Sequence, residues 1–381
     1  MKIGIDARFY GGEQSKGLGR YTQKLIEQLM LHEHTHEYVL FLQEEAFRNW
    51  KYTHERFTPV LAPYRWYTVA EQVLLSRLIH KTQVDLMHFP HFNVPLLYRE
   101  PFVVTIHDLI ILRFPTERAT TLGPLLYTFK HFAGTAVMRH AVRSSSHIIT
   151  VSEFSKQDIV QYYHVDPKKI TVTYESAEMH TVHKVTTPEM HVLQQYKITS
   201  PYILYIGNAY PHKNIELLIE LMVKLKKKYG NALPYTCVLV GREDYFYSRI
   251  KQEVIRRGVQ DAFVFTGFIP DHHLSAIYQQ ALAYIFPSFY EGFGLPALEA
   301  MQYGVPVIAA HVSCLPEILG RAALYFNPNS VSGIIEAIHT ISQDKKKREQ
   351  LIQQGYEQVQ RYSWKKMMQQ TIAVYEQQQK K

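Results

Sequence analysis

The chain is poor in the residues that mark disulfide, metal or membrane-spanning proteins. Only two of its 381 residues are cysteine, Cys237 in an apolar strand-like run and Cys314 in a loop. Two such thiols exclude a disulfide framework and fit a reducing compartment. No group of cysteines and histidines has the spacing of a structural zinc site. No apolar run approaches the roughly 18 residues of a membrane span. The opening Met1-Lys2-Ile3-Gly4-Ile5-Asp6 enters a strand without a signal-peptide pattern, so a cytoplasmic location is expected. A dinucleotide-cofactor fingerprint is also missing, because Gly17-Leu18-Gly19 is followed by Thr22 where a third glycine is needed. The formal net charge of +8 admits anionic partners, but its lysines and arginines are scattered and no nucleic-acid motif accompanies them.

What is present is a β/α alternation that runs twice. The 381 residues call for two domains, and the 46% hydrophobic content is that of a soluble globular protein. Strands are expected over 2–8, 38–42, 85–89, 102–107, 147–151 and 170–174, with helices over 19–31, 69–80, 123–142 and 153–163. The polar, aperiodic stretch 175–196 reads as a linker. Strands then recur over 202–207, 235–241, 263–268, 283–286, 305–310 and 323–326, separated by helices over 215–229, 245–257, 271–280 and 295–303. Short βα repeats imply parallel sheets with helices on both faces. The expected organisation is an N-terminal domain over 1–178, a linker over 179–199 and a C-terminal domain over 200–360. A last helix over 361–381 has no strand left to pair and could cross back to the first domain. Two doubly wound domains facing a cleft would place ligand loops at strand C-termini.

The most informative segment runs from Ser288 to Met301. An apolar strand ends in Pro287 and Ser288, passes through Gly292 and Gly294, and enters a helix with Pro296 in its first turn. Proline suits that turn because its missing N–H has no partner there. The helix N-terminus behind a glycine loop suits a phosphate or a sugar hydroxyl. Glu291 and Glu299 bracket the loop, and a carboxylate can accept two hydrogen bonds from a vicinal diol. The second strong segment is Gly207-Asn208-Ala209-Tyr210-Pro211-His212-Lys213-Asn214. Lys213 directly before a helix opposes the dipole unless an anion intervenes, which argues for a phosphate. Gly17-Leu18-Gly19-Arg20-Tyr21 is a backbone turn into the first helix that a phosphate or sugar could approach; a mere turn is the alternative. His107-Asp108 ends a buried strand, where the imidazole could donate to a substrate hydroxyl or serve structurally. The segment 123–143 combines Leu125, Leu126, Phe129 and Phe132 with Lys130, His131, Arg139, His140 and Arg143, downstream of the aromatic region 57–67 with Arg65 and Trp66. Such a helix could lie on an anionic membrane, and a half-buried helix of a doubly wound domain has the same look.

Taken in this order, these motifs resemble the retaining glycosyltransferases of family 4, which have the GT-B fold. The resemblance covers essentially the whole chain. Its most specific element is the pair Glu291 and Glu299 with Gly-Phe-Gly-Leu-Pro between them, supported by the segments at Gly17, His107, Val151-Ser152-Glu153-Phe154-Ser155 and Pro211, and by Gly304-Val305-Pro306-Val307-Ile308. The resemblance implies a nucleotide-sugar donor held mainly by the C-terminal domain and an acceptor entering from the N-terminal side. It casts Lys213 as the diphosphate cation, helped by Gly17 and Gly19. Glu299 takes the ribose, and Glu291 with the backbone at Phe293, Gly294 and Leu295 takes the donor sugar. His107 would contact the sugar from across the cleft. Many members carry an arginine where this chain has Asn208, so Arg20 or backbone N–H groups would have to serve instead. The resemblance implies no metal or other cofactor, and no Asp-x-Asp motif is present to hold one.

The function expected is transfer of a hexose with retention onto a glycan or lipid-linked glycan in cell-surface polysaccharide synthesis. Gly207-Asn208 before the lysine leans toward mannose from GDP-mannose, with a UDP-hexose as the main alternative. A sugar-nucleotide epimerase would need no acceptor. A non-catalytic nucleotide-sugar-binding partner would release no nucleotide.

Overall fold

Among the described residues, thirteen short and mainly apolar strands build two separate parallel sheets in the computed structural model of the chain. It describes residues 1–11, 17–33, 35–114, 124–177 and 187–379, and of 124–131 and 187–190 the backbone alone. The first sheet contains β1 (Lys2–Asp6), β2 (Glu37–Leu42), β3 (Phe57–Leu61), β4 (Leu86–Phe89), β5 (Phe102–Thr105), β6 (His147–Thr150) and β7 (Ile170–Val172). Their order is β3-β2-β1-β4-β5-β6-β7. The second contains β8 (Tyr202–Ile206), β9 (Thr236–Val240), β10 (Phe263–Gly267), β11 (Ala283–Phe286), β12 (Val307–Ala310) and β13 (Ala323–Phe326), in the order β10-β9-β8-β11-β12-β13. Every pairing is parallel; Ile5, for example, lies opposite Leu40 on one side and His88 on the other.

Both orders reverse once, between β1 and β4 and between β8 and β11. In doubly wound sheets that reversal opens a crevice at the strand C-termini. Alternation along each strand supplies both faces of the first sheet. Val39, Phe41, Met87, Val104 and Ile148 enter one core, and Tyr38, Leu40, Leu86, Val103 and Ile149 the other. The fold therefore has the doubly wound α/β character expected from the β/α alternation.

The chain divides into two units. The first comprises Met1–Arg113, Gly123–Glu175 and Ser363–Lys381, and the second Phe114–Leu122 and Ser176–Tyr362. The helix Trp364–Gln379 belongs to the first unit and buries Trp364, Met367, Met368, Val374 and Tyr375 with Tyr21, Leu25 and Ile26 of the first helix, Gly17–His32.

Three expectations need correction. The segment 57–67 is not a free aromatic surface. It begins with the unforeseen strand β3, whose Phe57 is buried and stacks on Tyr38 at 4.8 Å. Pro59 hid that strand, which lies at the sheet edge where a missing N–H is tolerated. The stretch 175–196 is not wholly a linker, since Thr187–Gln195 is helical and Pro188 occupies a first-turn position compatible with a helix; residues 178–186 lie outside the described part. Lys213 does not abut the α-helix. It closes a 3-10 turn, Pro211–Lys213, and the α-helix begins at Glu216. Asn214 intervenes in the left-handed region (φ 56°), its amide donating to the carbonyls of Pro287 (3.0 Å) and Pro328 (2.9 Å). The side chains of Leu125, Leu126, Phe129, Lys130 and His131 also lie outside the described residues.

Candidate functional site

The switch point of the second sheet brings the two strongest motifs together. The loop after β8 carries Asn208 and Lys213, and the loop after β11 carries Ser288, Glu291, Phe293 and Gly294. A backbone bond from Phe289 N–H to the His212 carbonyl (2.8 Å) joins the loops. Lys213 Nζ donates to both oxygens of Glu291, at 2.7 and 2.8 Å. Ser288 Oγ donates to Oε1 of the same carboxylate at 2.6 Å, and the Glu291 N–H donates to Ser313 Oγ at 3.1 Å. The pair is mostly buried, with side-chain exposures of 15% for Lys213 and 8% for Glu291. The anion beside Lys213 in this structure is Glu291. His212 beside the ammonium is held neutral: burial, with Lys213 adding, lowers its pKa to about 3.

The walls are tyrosines. Tyr205 OH donates to the Asn208 carbonyl at 2.7 Å, Tyr284 OH to that of Ile206 at 3.3 Å, and Tyr247 OH to that of Gly207 at 2.8 Å. These three hydroxyls fix the path of the loop leaving β8. Burial raises the Tyr284 pKa far above the ordinary phenol range, and the charges of Glu291 and Glu299 add to the rise. Tyr284 therefore feels both carboxylates of the motif. Glu299 is half-buried on the helix Leu295–Gln302, and its Oε2 accepts from Tyr278 OH at 3.1 Å. Gly294 caps that helix at φ 105°, a conformation that favours glycine, and a Cβ there would meet Leu315 and Phe286 at 3.1 Å. Leu295 and Pro296 open the helix; Pro296 has no N–H to satisfy, and the Ala297 N–H donates to the Gly294 carbonyl at 3.1 Å. Phe293 is buried edge-on against Tyr362, and its carbonyl accepts from Cys314 Sγ. The Asn208 side chain accepts from the Tyr210 N–H within its own loop (3.4 Å).

The remaining candidates belong to the first unit. Gly17, Gly19 and Arg20 open the helix Gly17–His32, with Gly19 buried and Arg20 partly so. Tyr21, the next residue, meets the His107 ring edge-on at 4.7 Å. His107 lies beside Glu175 Oε1 through Nδ1 and the Pro90 carbonyl through Nε2, each at 3.1 Å. Both neighbours are acceptors, so both ring nitrogens act as donors and the ring is charged. Burial works against that charge, but the Glu175 contact, the Pro90 carbonyl and Asp108 raise the pKa above its usual value. Donation from His107 to a substrate would require one of these bonds to open.

Sequence reasoning missed Ser288, Ser313, Tyr278 and Tyr284 around the carboxylates, and Glu175 on His107. Ser288 stands three residues before Glu291 and could have been found as a loop partner. Ser313 and Glu175 arrive from distant parts of the chain and carry no local signal. Among the described residues, no three His, Cys, Asp or Glu side chains are grouped to hold a metal ion.

The reversal of the second sheet thus bears a cation, two carboxylates and a glycine-capped helix, in a chain of two doubly wound units. Residues 15–176 match the family described as Glycosyltransferase Family 4, and residues 191–358 match Glycosyl transferases group 1. The O-antigen chain mannosyltransferase B of Escherichia coli is 31% identical over 292 residues, covering 76% of this chain and 74% of that protein. The O-antigen chain mannosyltransferase RfbU of Salmonella typhimurium is 30% identical over 287 residues, covering 75% and 73%. The chain belongs to this glycosyltransferase family and is a glycosyltransferase. Its GT-B fold is shared with the sucrose-phosphate synthase of Thermosynechococcus elongatus, with a TM-score of 0.76 at 19% identity over 99% of this chain and 98% of that one.

Proposed function

We propose that this enzyme transfers a hexose, mannose from GDP-mannose, with retention onto a glycan or lipid-linked glycan in cell-surface polysaccharide synthesis. The observation that carries the reading is the Lys213–Glu291 pair at the β8/β11 switch point. The names of the two relatives, both O-antigen mannosyltransferases, support the sugar and the pathway class.

In this reading the donor divides the pair. The diphosphate, a stronger anion than one carboxylate, takes Lys213, and the Leu295 N–H at the helix start donates beside it. Glu291, held by Ser288, is freed to accept hydroxyls of the donor sugar, and Glu299 accepts those of the ribose. The bond between the anomeric carbon and the diphosphate oxygen breaks as an acceptor hydroxyl bonds to that carbon from the same face, its proton passing to the departing diphosphate oxygen. Lys213 lowers the barrier by holding the charge that develops on the departing diphosphate. The reaction needs no metal in this account, so activity should survive EDTA.

The enzyme works on the cytoplasmic side of an anionic membrane in the same reading. No described helix is long and apolar enough to cross a membrane. On the helix Pro124–Ser144, however, Phe132 is 73% exposed and lines a hollow of about 360 Å³ with Arg139, His140 and Arg143. Burial and Arg99 lower the His140 pKa, which leaves the two arginines as the charge on that face. Sedimentation with phosphatidylglycerol vesicles but not phosphatidylcholine vesicles, lost in Phe132→Ser, is the expected result.

The central test is nucleotide release from GDP-mannose, UDP-glucose, UDP-galactose and UDP-N-acetylglucosamine, with and without a lipid-linked glycan extract. GDP release raised by extract and abolished in Glu291→Ala is expected. Release from a UDP-sugar instead would overturn the donor, and binding of none of the four would overturn the site.

A further inference from the structure

The residues flanking Lys213 and Glu291 are rings, and they share a neighbour from a distant part of the chain. His212 stands immediately before Lys213, and Phe289 and Tyr290 stand immediately before Glu291. The ring of Phe114 meets all three. Its centroid lies 5.9 Å from that of Tyr290, inclined at 65°, 6.5 Å from Phe289, nearly parallel at 17°, and 6.3 Å from His212. At such separations aromatic rings attract one another. His212 carries the contact on to Tyr210 at 6.0 Å, and Tyr210 meets Phe246 edge-on at 4.7 Å. Phe114 therefore sits where the ring contacts of the β8 loop and those of the β11 loop converge.

Its place is set locally. Phe114 follows the short helix Ile110–Arg113, at whose start Asp108 Oδ1 accepts from the Ile110 N–H at 2.9 Å. Pro115 comes next in the sequence, and the residue before a proline is disfavoured in the helical conformation. The helix stops at Arg113, and the chain enters the second unit with Phe114. The Phe114 ring is half-buried, and His212 and Tyr290 beneath it are buried. The two loops are already fastened by polar contacts, from the Phe289 N–H to the His212 carbonyl and from the Asn214 amide to the Pro287 carbonyl. Those bonds fix the backbone paths, whereas the aim of Lys213 and Glu291 depends on what packs beside them.

The two side chains are long and come from different loops, so a small shift of either loop separates them. A cation that must meet charge developing on a leaving group tolerates little displacement; about 1 Å can cost about 100-fold in rate. A phenyl ring packed beside both ends resists that shift and brings no charge to compete with the diphosphate. We infer that Phe114 is a positioning residue for the transfer. Its ring, packed on His212, Phe289 and Tyr290, holds the two loops at the separation at which Lys213 and Glu291 act. The inference rests on the part given to Lys213 in the reading above, and Phe114 acts through its neighbours rather than on the donor.

The test uses full-length wild type, Phe114→Ala, Phe114→Tyr, Phe114→Trp, Lys213→Met and the double variant Phe114→Ala with Lys213→Met. Nucleotide release is followed against donor concentration, with lipid-linked glycan extract present, and each protein is melted. Phe114→Ala should lower kcat about 10- to 100-fold and change the donor KM by less than about threefold. Phe114→Tyr or Phe114→Trp, which keep a ring, should recover most of that loss and guard against misfolding of the alanine variant. On top of Lys213→Met, Phe114→Ala should cost less than about threefold more, because the group it positions is gone. The fall in melting temperature caused by Lys213→Met should likewise shrink by about half once Phe114→Ala is in place. A residue that merely packs would lower the melting temperature, leave kcat at wild type below the melt, and add in full to Lys213→Met; that result would overturn the inference. So would failure of both ring-retaining variants to recover kcat. If no donor yields nucleotide while the melts still couple Phe114 to Lys213, the transferase reading falls and the positioning of the pair stands. If turnover is present and Phe114→Ala matches wild type in kcat, the positioning falls alone.

Discussion

Replacing Lys213 by methionine keeps the aliphatic length of the side chain and removes its charge. Two unit charges 2.7 Å apart attract by roughly 6 kcal/mol at an effective dielectric near 20, before desolvation is subtracted. Methionine leaves Glu291 8% exposed and without its cation, supported by Ser288 alone. Breaking a buried pair from one side costs about 3–5 kcal/mol; partial solvent access puts Lys213→Met near the lower end, about 3 kcal/mol. For a unit of this size that is a fall of about 6–12 °C in melting temperature. The double variant Lys213→Met with Glu291→Leu removes both charges and should recover most of the loss. Catalysis should behave differently. The lysine's part in stabilising the leaving group is worth about 100- to 1000-fold in kcat, and the double variant cannot restore it. Thermal melts and nucleotide release on wild type, Lys213→Met and the double variant separate the two effects. A Lys213→Met enzyme that melts like wild type, or a double variant that regains turnover, would refute the reasoning.

Gly241→Ala should abolish donor binding, because its Cβ would stand 2.2 Å from the Gly207 carbonyl and 2.3 Å from the Tyr247 hydroxyl that together shape the loop after β8; calorimetric titration with GDP-mannose checks this. Tyr375→Phe leaves His88 Nδ1 buried without the partner it has at 2.6 Å and should destabilise the first unit by about 1–3 kcal/mol, read from urea melts. The chain should also be acid-labile. His88 and His212 have folded pKa values lowered to about 3, in each case by burial above all, so the unfolded chain takes up more protons than the folded one below pH 6.5. Each group's contribution is fully present above that pH and shrinks by about 1.4 kcal/mol per unit as pH falls toward 3. His107, with a raised pKa, opposes this weakly from the other side. Urea midpoints unchanged between pH 7 and 5 would contradict the assignment.

Parallel sheets were legible because their strands are buried on both faces and read as apolar runs; Val103-Val104 and Ile148-Ile149 each send neighbours into opposite cores. Strand β3 was not, since Pro59 breaks the run and only an edge position excuses it. Lys213 and Glu291 could be singled out separately from glycine loops and a helix start. Their direct contact could not, because it depends on β8 and β11 being neighbours in the sheet although β9 and β10 separate them in sequence. The same holds for Glu175 on His107, which meet only because β5 and β7 flank β6. Chemistry visible in a local motif was readable; chemistry assembled by strand order was not.

The helix Trp364–Gln379 also has a consequence for how the protein is made. Its residues complete a core whose other members lie in the first strands and the first helix. A ribosome delivers Ile3, Tyr21 and Leu25 early and Met367, Met368 and Tyr375 last, with almost all of the second unit synthesised in between. At about 5–20 residues per second that interval lasts on the order of ten to forty seconds. For that time one face of the nascent first sheet lacks its final cover, and the second unit is finished before the first. This helix thus closes the first unit only after the second has been made, and truncation before Trp364 would strand the half that was made first.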